Sequence, residues 1–185
     1  MEKKKYFSTQ KIVFLAAMAA IVCVVTFVRF PLLNSKVHFA NAMCLLSGLL
    51  FGGVGGGLAA GVGSALYDAL FGGYDAINCI ITFVSKFLMA FICAKAARVS
   101  AEDGKGRIVL GCIAGAVSYV ALYMLKTFIY QRFVYAYPPE TVWATMLSKL
   151  PASALNAAAA IIAAPIIYAA VRPALAKSGL LKKLN

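Results

Sequence analysis

From Ala40 to Phe71 the chain carries a single charged side chain, Asp68. A stretch so poor in charge fits a bilayer only as helix, because lipid offers no hydrogen-bond partners to an irregular backbone. One helix over this stretch would be roughly 48 Å long, well beyond a hydrocarbon core of about 30 Å. The glycines Gly52, Gly53, Gly55, Gly56 and Gly57 mark the natural break. They predict two helices, over about 40–53 and about 55–71. Further apolar runs predict helices over about 11–30, 77–97, 107–130 and 145–172, six in all. Composition agrees: 63% of residues are hydrophobic and 13% charged, against about 45–50% and about 25% in soluble domains. A soluble enzyme and a disordered chain are both excluded on that ground. The expectation is an all-α integral membrane protein, one transmembrane domain over residues 1–185.

The first run invites comparison with a signal peptide, since Lys3, Lys4, Lys5 and Lys11 precede the apolar segment Ile12 to Val28. No small-x-small cleavage site follows, and the run ends at Arg29-Phe30-Pro31. Val22, ahead of Cys23, is too large for lipoprotein processing. The segment reads as the first span. The net charge of +12 comes from 18 Lys and Arg against 6 Asp and Glu. With the N-terminus inside, inner segments hold Lys3, Lys4, Lys5, Lys11, Lys95, Arg98, Lys105, Arg107, Arg172, Lys177, Lys182 and Lys183. Outer ends hold only Arg29, Lys36, Arg132 and Lys149, while Lys86 and Lys126 fall within spans. The excess of Lys and Arg on one side places both termini in the cytoplasm. Cations flanking apolar runs serve orientation, and no nucleic-acid partner is expected. Val99 to Gly106 reads as an inner turn. Gln131 to Thr145, with Tyr135, Tyr137, Pro138, Pro139 and Trp143, reads as an aromatic outer cap. Residues 31–39 form an outer excursion that the sequence leaves open between loop, short helix and lid.

Polar side chains inside a bilayer are costly and tend to mark function. Asn78, Thr82 and Lys86 recur at i, i+4 and i+8 on one helix face. Tyr119, Tyr123, Lys126 and Tyr130 do the same in the next helix, and Lys149, Ser153 and Asn156 in the last. All three stripes start at the outer end and stop near mid-membrane. Facing one another, they predict a cavity open to the outside for a flat polar small molecule. The lysines suit carbonyl, carboxylate or phosphate oxygens. Asp68, Asn41 at the start of the second helix, and from the outer loops Tyr74 and His38, are added as candidates, with Asp75 as an ion-pair partner for the lysines. The competing reading is that these residues join helices or reach for headgroups. The far half has a different pattern: Gly53, Gly57 and Gly61, and Gly56, Ala60 and Ser64, recur at four-residue spacing, which allows close helix packing. Ala16 and Ala20 form a similar small face, for internal packing or for a partner.

No Walker A sequence is present, and Gly52 to Gly57 lacks the Lys-Ser/Thr that completes a phosphate-binding loop. The five cysteines lie in apolar stretches without CxxC spacing and read as buried small hydrophobes. With one histidine, a structural zinc site is not expected, and no catalytic residues or cofactors are assigned. A carboxylate proton relay is poorly supplied. Such a chain binds a solute and lacks evident means of driving it, so it needs a partner.

The segment His38-Phe39-Ala40-Asn41 through Leu49-Leu50-Phe51-Gly52-Gly53, then Gly56 to Asp68, followed by Thr82-Phe83 and Lys86-Phe87-Leu88-Met89-Ala90, resembles the S component of energy-coupling factor (ECF) vitamin transporters. The resemblance spans about 1–172, its specific part 38–90. It implies a multi-pass subunit of the bacterial cytoplasmic membrane that captures a vitamin or precursor from outside. The branch it resembles is associated with riboflavin-, pyridoxine- or hydroxymethylpyrimidine-like rings. It also implies a transmembrane coupling protein and two cytoplasmic ATPases that bind the ATP, with Ala16 and Ala20 at the coupling interface. The alternatives are a stand-alone secondary transporter or facilitator, and a membrane-embedded enzyme or structural protein.

Overall fold

A computed structural model describes residues 8–32, 35–97 and 104–179. The helices are α1 (Thr9–Phe27), α2 (Ala40–Tyr67), α3 (Ala76–Ala97), α4 (Lys105–Ile129) and α5 (Pro139–Lys177). Two short strands, β1 (Arg29–Leu32) and β2 (Ser35–His38), lie between α1 and α2. Among the described residues, five helical runs are long and apolar enough to cross a bilayer. The lysines at 3–5, Arg98, most of the 99–106 turn, and Lys182 and Lys183 lie outside the described residues.

α2 is one run in name only. Gly52 has φ 74° and ψ −177°, a combination open essentially to glycine alone. The two arms fold back on each other there. Cys44 Sγ lies 3.8 Å from Ser64 Oγ, although twenty residues of straight helix would hold them about 30 Å apart. The Ser47 hydroxyl donates to the Gly56 carbonyl across the fold, at 2.9 Å. A Cβ on Gly56 would stand 2.4 Å from Ser47 O, so the arms touch backbone to backbone. The expected break between two helices thus falls at a single residue.

Four helix boundaries and one loop differ from the sequence expectation. α1 stops at Phe27 and not near residue 30, because Pro31 disfavours helical backbone at Phe30. The excursion is a β-hairpin, so the fold is not purely helical. Its register pairs Arg29 with His38, Phe30 with Val37 and Pro31 with Lys36. The outer cap is also shorter than expected. A π-helical turn over Tyr130–Val134 extends α4, and α5 begins at Pro139, six residues before the expected start near 145. Proline at the first helical position loses no hydrogen bond, and Glu140 suits the positive helix start. α5 then runs on through Pro151, Pro165 and Pro173 to Lys177, past the expected end near 172. Interior prolines usually break helices in water. Packed membrane helices tolerate them because neighbours satisfy the freed carbonyls. A second π-helical turn, Asp68–Gly72, closes the far arm of α2.

The bundle has two layers along its length. Away from the hairpin, Leu15, Met18 and Val22 of α1 meet Leu45 and Leu49 of α2, with Met89, Cys93, Cys112, Ala116 and Ala164 from the other helices. Glycine makes this layer tight. A Cβ on Gly53, Gly57 or Gly61 would stand 2.9, 2.7 or 2.9 Å from the rings of Phe91, Phe87 and Phe83. Those rings stack in turn, 5.9–6.1 Å apart. The small-residue rows of α2 are therefore internal packing. Cys44, Cys93 and Cys112 are buried as expected, while Cys23 and Cys79 are only half-buried. Large apolar side chains such as Ile80 (62% exposed) and Ile162 (64%) point outward, as a lipid-facing surface requires. Toward the hairpin, the same helices enclose polar side chains instead.

Candidate functional site: a cationic cavity under the hairpin

The hairpin-side layer surrounds a cavity of about 290 Å³. The three polar stripes of α3, α4 and α5 supply much of its wall. Thr82 and Lys86 come from α3, Tyr119, Tyr123 and Lys126 from α4, and Lys149, Ser153 and Asn156 from α5. Asp68, Tyr74 and His38 also line it. Helical periodicity therefore brought together residues that packing does place around one space.

Three of the expected residues stand elsewhere. Asn78 works at the start of α3, where Asp75 accepts its backbone N–H at 2.7 Å and its side-chain amide at 3.0 and 3.1 Å. Those hydrogens hold the Asp75 carboxyl below the usual carboxylate range. Tyr130 turns away into the π-helical segment, its ring 5.6 Å from Lys126 Nζ and 6.3 Å from the Tyr135 ring. Asn41 lies one layer behind the wall, buried, and accepts a hydrogen bond from Lys86 Nζ.

Lys86 is itself only 4% exposed. Its ammonium meets Asn41 on one side and sits 3.6 Å over the Tyr119 ring on the other. A buried cation is tolerated only where such groups replace its water. Tyr119 stacks on Tyr123 at 6.3 Å and 22°, which continues the aromatic wall. Lys149 Nζ is 5.9 Å from the Tyr123 ring.

The hairpin forms the roof, and its register explains how. Arg29 pairs with His38, and Lys36 lies two residues before His38 on the same face. All three therefore point into the cavity, while Phe30, 60% exposed, points out. Pro31 sits opposite Lys36. It has no N–H to donate, which suits a pair whose backbone groups face away from the partner strand. Asn156 takes up that free edge. Its Oδ1 accepts the His38 N–H and its Nδ2 donates to the Lys36 carbonyl, each at 2.8 Å. One amide side chain of α5 thus pairs with β2 as a neighbouring strand would.

The roof also sets the charge of the site. Arg29, Lys36, Lys86, Lys126 and Lys149 line the cavity, with Asp68 as the single carboxylate among the described residues that line it. Two like unit charges 8 Å apart repel by about 2 kcal/mol at an effective dielectric of 20. The walls answer with tyrosine faces: Arg29 lies 5.3 Å from the Tyr67 ring centroid, besides the contacts of Lys86 and Lys149. His38 reports the same field. Burial, helped by the charges of Lys86, Arg29 and Lys36, pulls its pKa down to about 3. Its Nδ1 is buried and has no hydrogen-bond partner among the described residues. The Tyr74 phenol is pushed above its ordinary value, by burial first and by Asp68 second.

His38 provides a pH test. Between about pH 6.5 and 3 the unfolded chain takes up a proton that the folded chain refuses. Stability is therefore complete above pH 6.5 and falls as the pH drops. The melting temperature of purified protein is expected to decline from pH 7 to pH 4.5, and His38→Gln to decline less. Equal slopes for both proteins would show that His38 does not resist protonation.

Sequence reasoning missed Thr26, Ser64, Tyr67 and Ser85, which also face the cavity. Arg29 and Lys36 were noted only as outer cations. The alternation Lys36-Val37-His38 after Pro31 was the available signal, because period two puts Lys36 and His38 on one strand face.

A family model described as "ECF-type riboflavin transporter, S component" matches residues 6–173. The chain belongs to this S-component family. It is a transport protein, not an enzyme, and its apolar helices make it a multi-pass membrane protein. A solved structure described as "Structure and mechanism of the S component of a bacterial ECF transporter" is similar in fold, with a TM-score of 0.66 at 17% identity. The match covers 90% of this chain and 97% of that one. No curated protein sequence matches.

Proposed function

We propose that this S component captures a water-soluble vitamin or vitamin precursor from outside the bacterial cytoplasmic membrane and delivers it inward. The observation that carries the reading is the polar cavity, walled by α3, α4 and α5 and roofed by the hairpin. The stacked Tyr119 and Tyr123 suit a flat heterocycle, and the family name makes riboflavin the first candidate, ahead of pyridoxine- or hydroxymethylpyrimidine-like rings. The chain crosses the membrane six times, with both termini in the cytoplasm. The fold-back at Gly52 supports the six crossings, and the Lys and Arg excess on one side supports the orientation. The hairpin then lies on the outer face, over the entrance.

Energy comes from partners, since the sequence carries no Walker A motif. A transmembrane coupling protein docks on α1 and two cytoplasmic ATPases bind the ATP. Ala16 and Ala20 are both exposed on α1, opposite the buried Leu15, Met18 and Ala19, which suits a close helix contact.

A thermal-shift panel of water-soluble vitamins on the purified protein tests the assignment. A ligand at 100 times its dissociation constant stabilises the fold by about 2.7 kcal/mol, so one vitamin is expected to raise the melting temperature clearly. A flat panel, with no vitamin recovered by mass spectrometry from the purified protein, would overturn the reading.

A further inference from the structure

We propose that the ligand of this cavity carries an anionic group, a carboxylate or a phosphate, beside its flat ring. The inference rests on reading the cavity as the substrate site, and it moves the candidates from the neutral rings themselves, riboflavin and pyridoxine among them, to relatives of those rings that bear a carboxylate or a phosphate. Among the described residues, five cations line the cavity against one carboxylate. Each comes from a different element: Arg29 from β1, Lys36 from β2, Lys86 from α3, Lys126 from α4 and Lys149 from α5. Among the described residues none of the five is joined to a carboxylate in an ion pair. Arg29, Lys86, Lys126 and Lys149 rest against tyrosine rings instead.

A neutral ring needs one or two donors for its carbonyl oxygens. Lys86 meets that need: it is buried, held by Asn41 and placed on the Tyr119 face beside the stacked pair. Four further cations exceed what dipolar oxygens can offset. A carboxylate or phosphate answers them, because charge-assisted bonds to anionic oxygens are the strong ones. The half-buried Lys126 and Lys149, together with Arg29 and Lys36 of the roof, are the groups left for it. His38 stands beside them with a buried Nδ1 that lacks a hydrogen-bond partner among the described residues, on a side chain that lines the same cavity. Over an anion, Arg29 and Lys36 face opposite charge, whereas over a neutral ring they face mainly the other cations.

The test uses matched neutral and anionic probes on the full-length protein in detergent. The pairs are riboflavin with riboflavin 5′-phosphate, and pyridoxine with pyridoxine 5′-phosphate and with 4-pyridoxate. Inorganic phosphate alone is the control. In at least one pair the anionic member is expected to bind about tenfold or more tightly than its parent, a difference of about 1.4 kcal/mol. That advantage should shrink as NaCl rises from low to high concentration, because screening weakens partly exposed charge pairs. Lys149→Gln or Lys126→Gln should reduce it further. The pairwise comparison needs only the unmutated chain, so a variant that fails to fold does not blunt it. Phosphate-bearing and carboxylate-bearing probes tell the two anions apart. Neutral parents binding as tightly as their anionic partners would overturn the anion inference and leave the vitamin reading standing. Inorganic phosphate binding as tightly as any phosphorylated ring would overturn it too, since the ring would then contribute nothing. No binding by any probe would overturn both.

Discussion

The variant Ala16→Trp is expected to bind ligand as tightly as the unmodified S component and to import none of it. Ala16 and Ala20 lie one turn apart on the exposed face of α1, while Leu15, Met18 and Val22 hold the opposite face in the core. An indole added there meets lipid in the isolated protein, so the fold and the cavity are untouched. Against a docked helix it meets backbone. Small residues at such a face let helices approach closely, and a large side chain removes that approach. Uptake measured in cells or vesicles that supply the coupling protein and ATPases should fall to background. Binding measured in detergent should stay the same. Uptake that survives the substitution would remove this face from the coupling interface, and would favour a chain that transports alone.

The second large effect is expected at Asn156. Asn156→Ala removes both bonds to the edge of β2, leaving the His38 N–H and the Lys36 carbonyl without partners. Each buried group left unsatisfied costs about 1–3 kcal/mol. Asn156 also lines the cavity, and the residues it seats, Lys36 and His38, form its roof. Affinity should fall by about 10- to 100-fold, at 1.4 kcal/mol for each factor of ten. Asn156→Asp separates the two bonds: the carboxylate can still accept from His38 but cannot donate to Lys36. It should bind ligand less well than the unmodified chain. The melting temperature should change less than the affinity, because the packed layer of Leu45, Met89 and Ala164 lies away from the hairpin. Unchanged affinity in both variants would mean that the hairpin does not need this anchor and that the α5 stripe is structural.

Much of this architecture is legible in local sequence. A bilayer leaves the backbone few options, so apolar length alone places the helices, and a 3.6-residue period alone aligns Thr82 with Lys86 or Tyr119 with Tyr123. Ends are harder to read. Pro139 begins α5 and Pro151 fails to end it, since the same residue breaks or starts a helix according to what packs beside it. The hairpin gave little signal because its strands have four residues each, too short for a clear alternation. Asn78 was misplaced for another reason. It shares a helix face with Lys86, yet at the first turn of α3 its amide answers Asp75 and not the cavity.

What the sequence determined by itself is the class of the molecule: a chain that must cross a membrane, with helices in known places and polar stripes at one end of them. What only the tertiary structure decided is which stripes meet. Arg29, Lys36, Lys86, Lys126 and Lys149 are scattered over more than a hundred residues, and no local rule relates them. They converge because glycines at 53, 57 and 61 let α2 lie against the phenylalanines of α3, and because Asn156 reaches β2. Those contacts fix how each helix is turned about its own axis. A helical period says which residues share a face, whereas only close packing says what that face looks at.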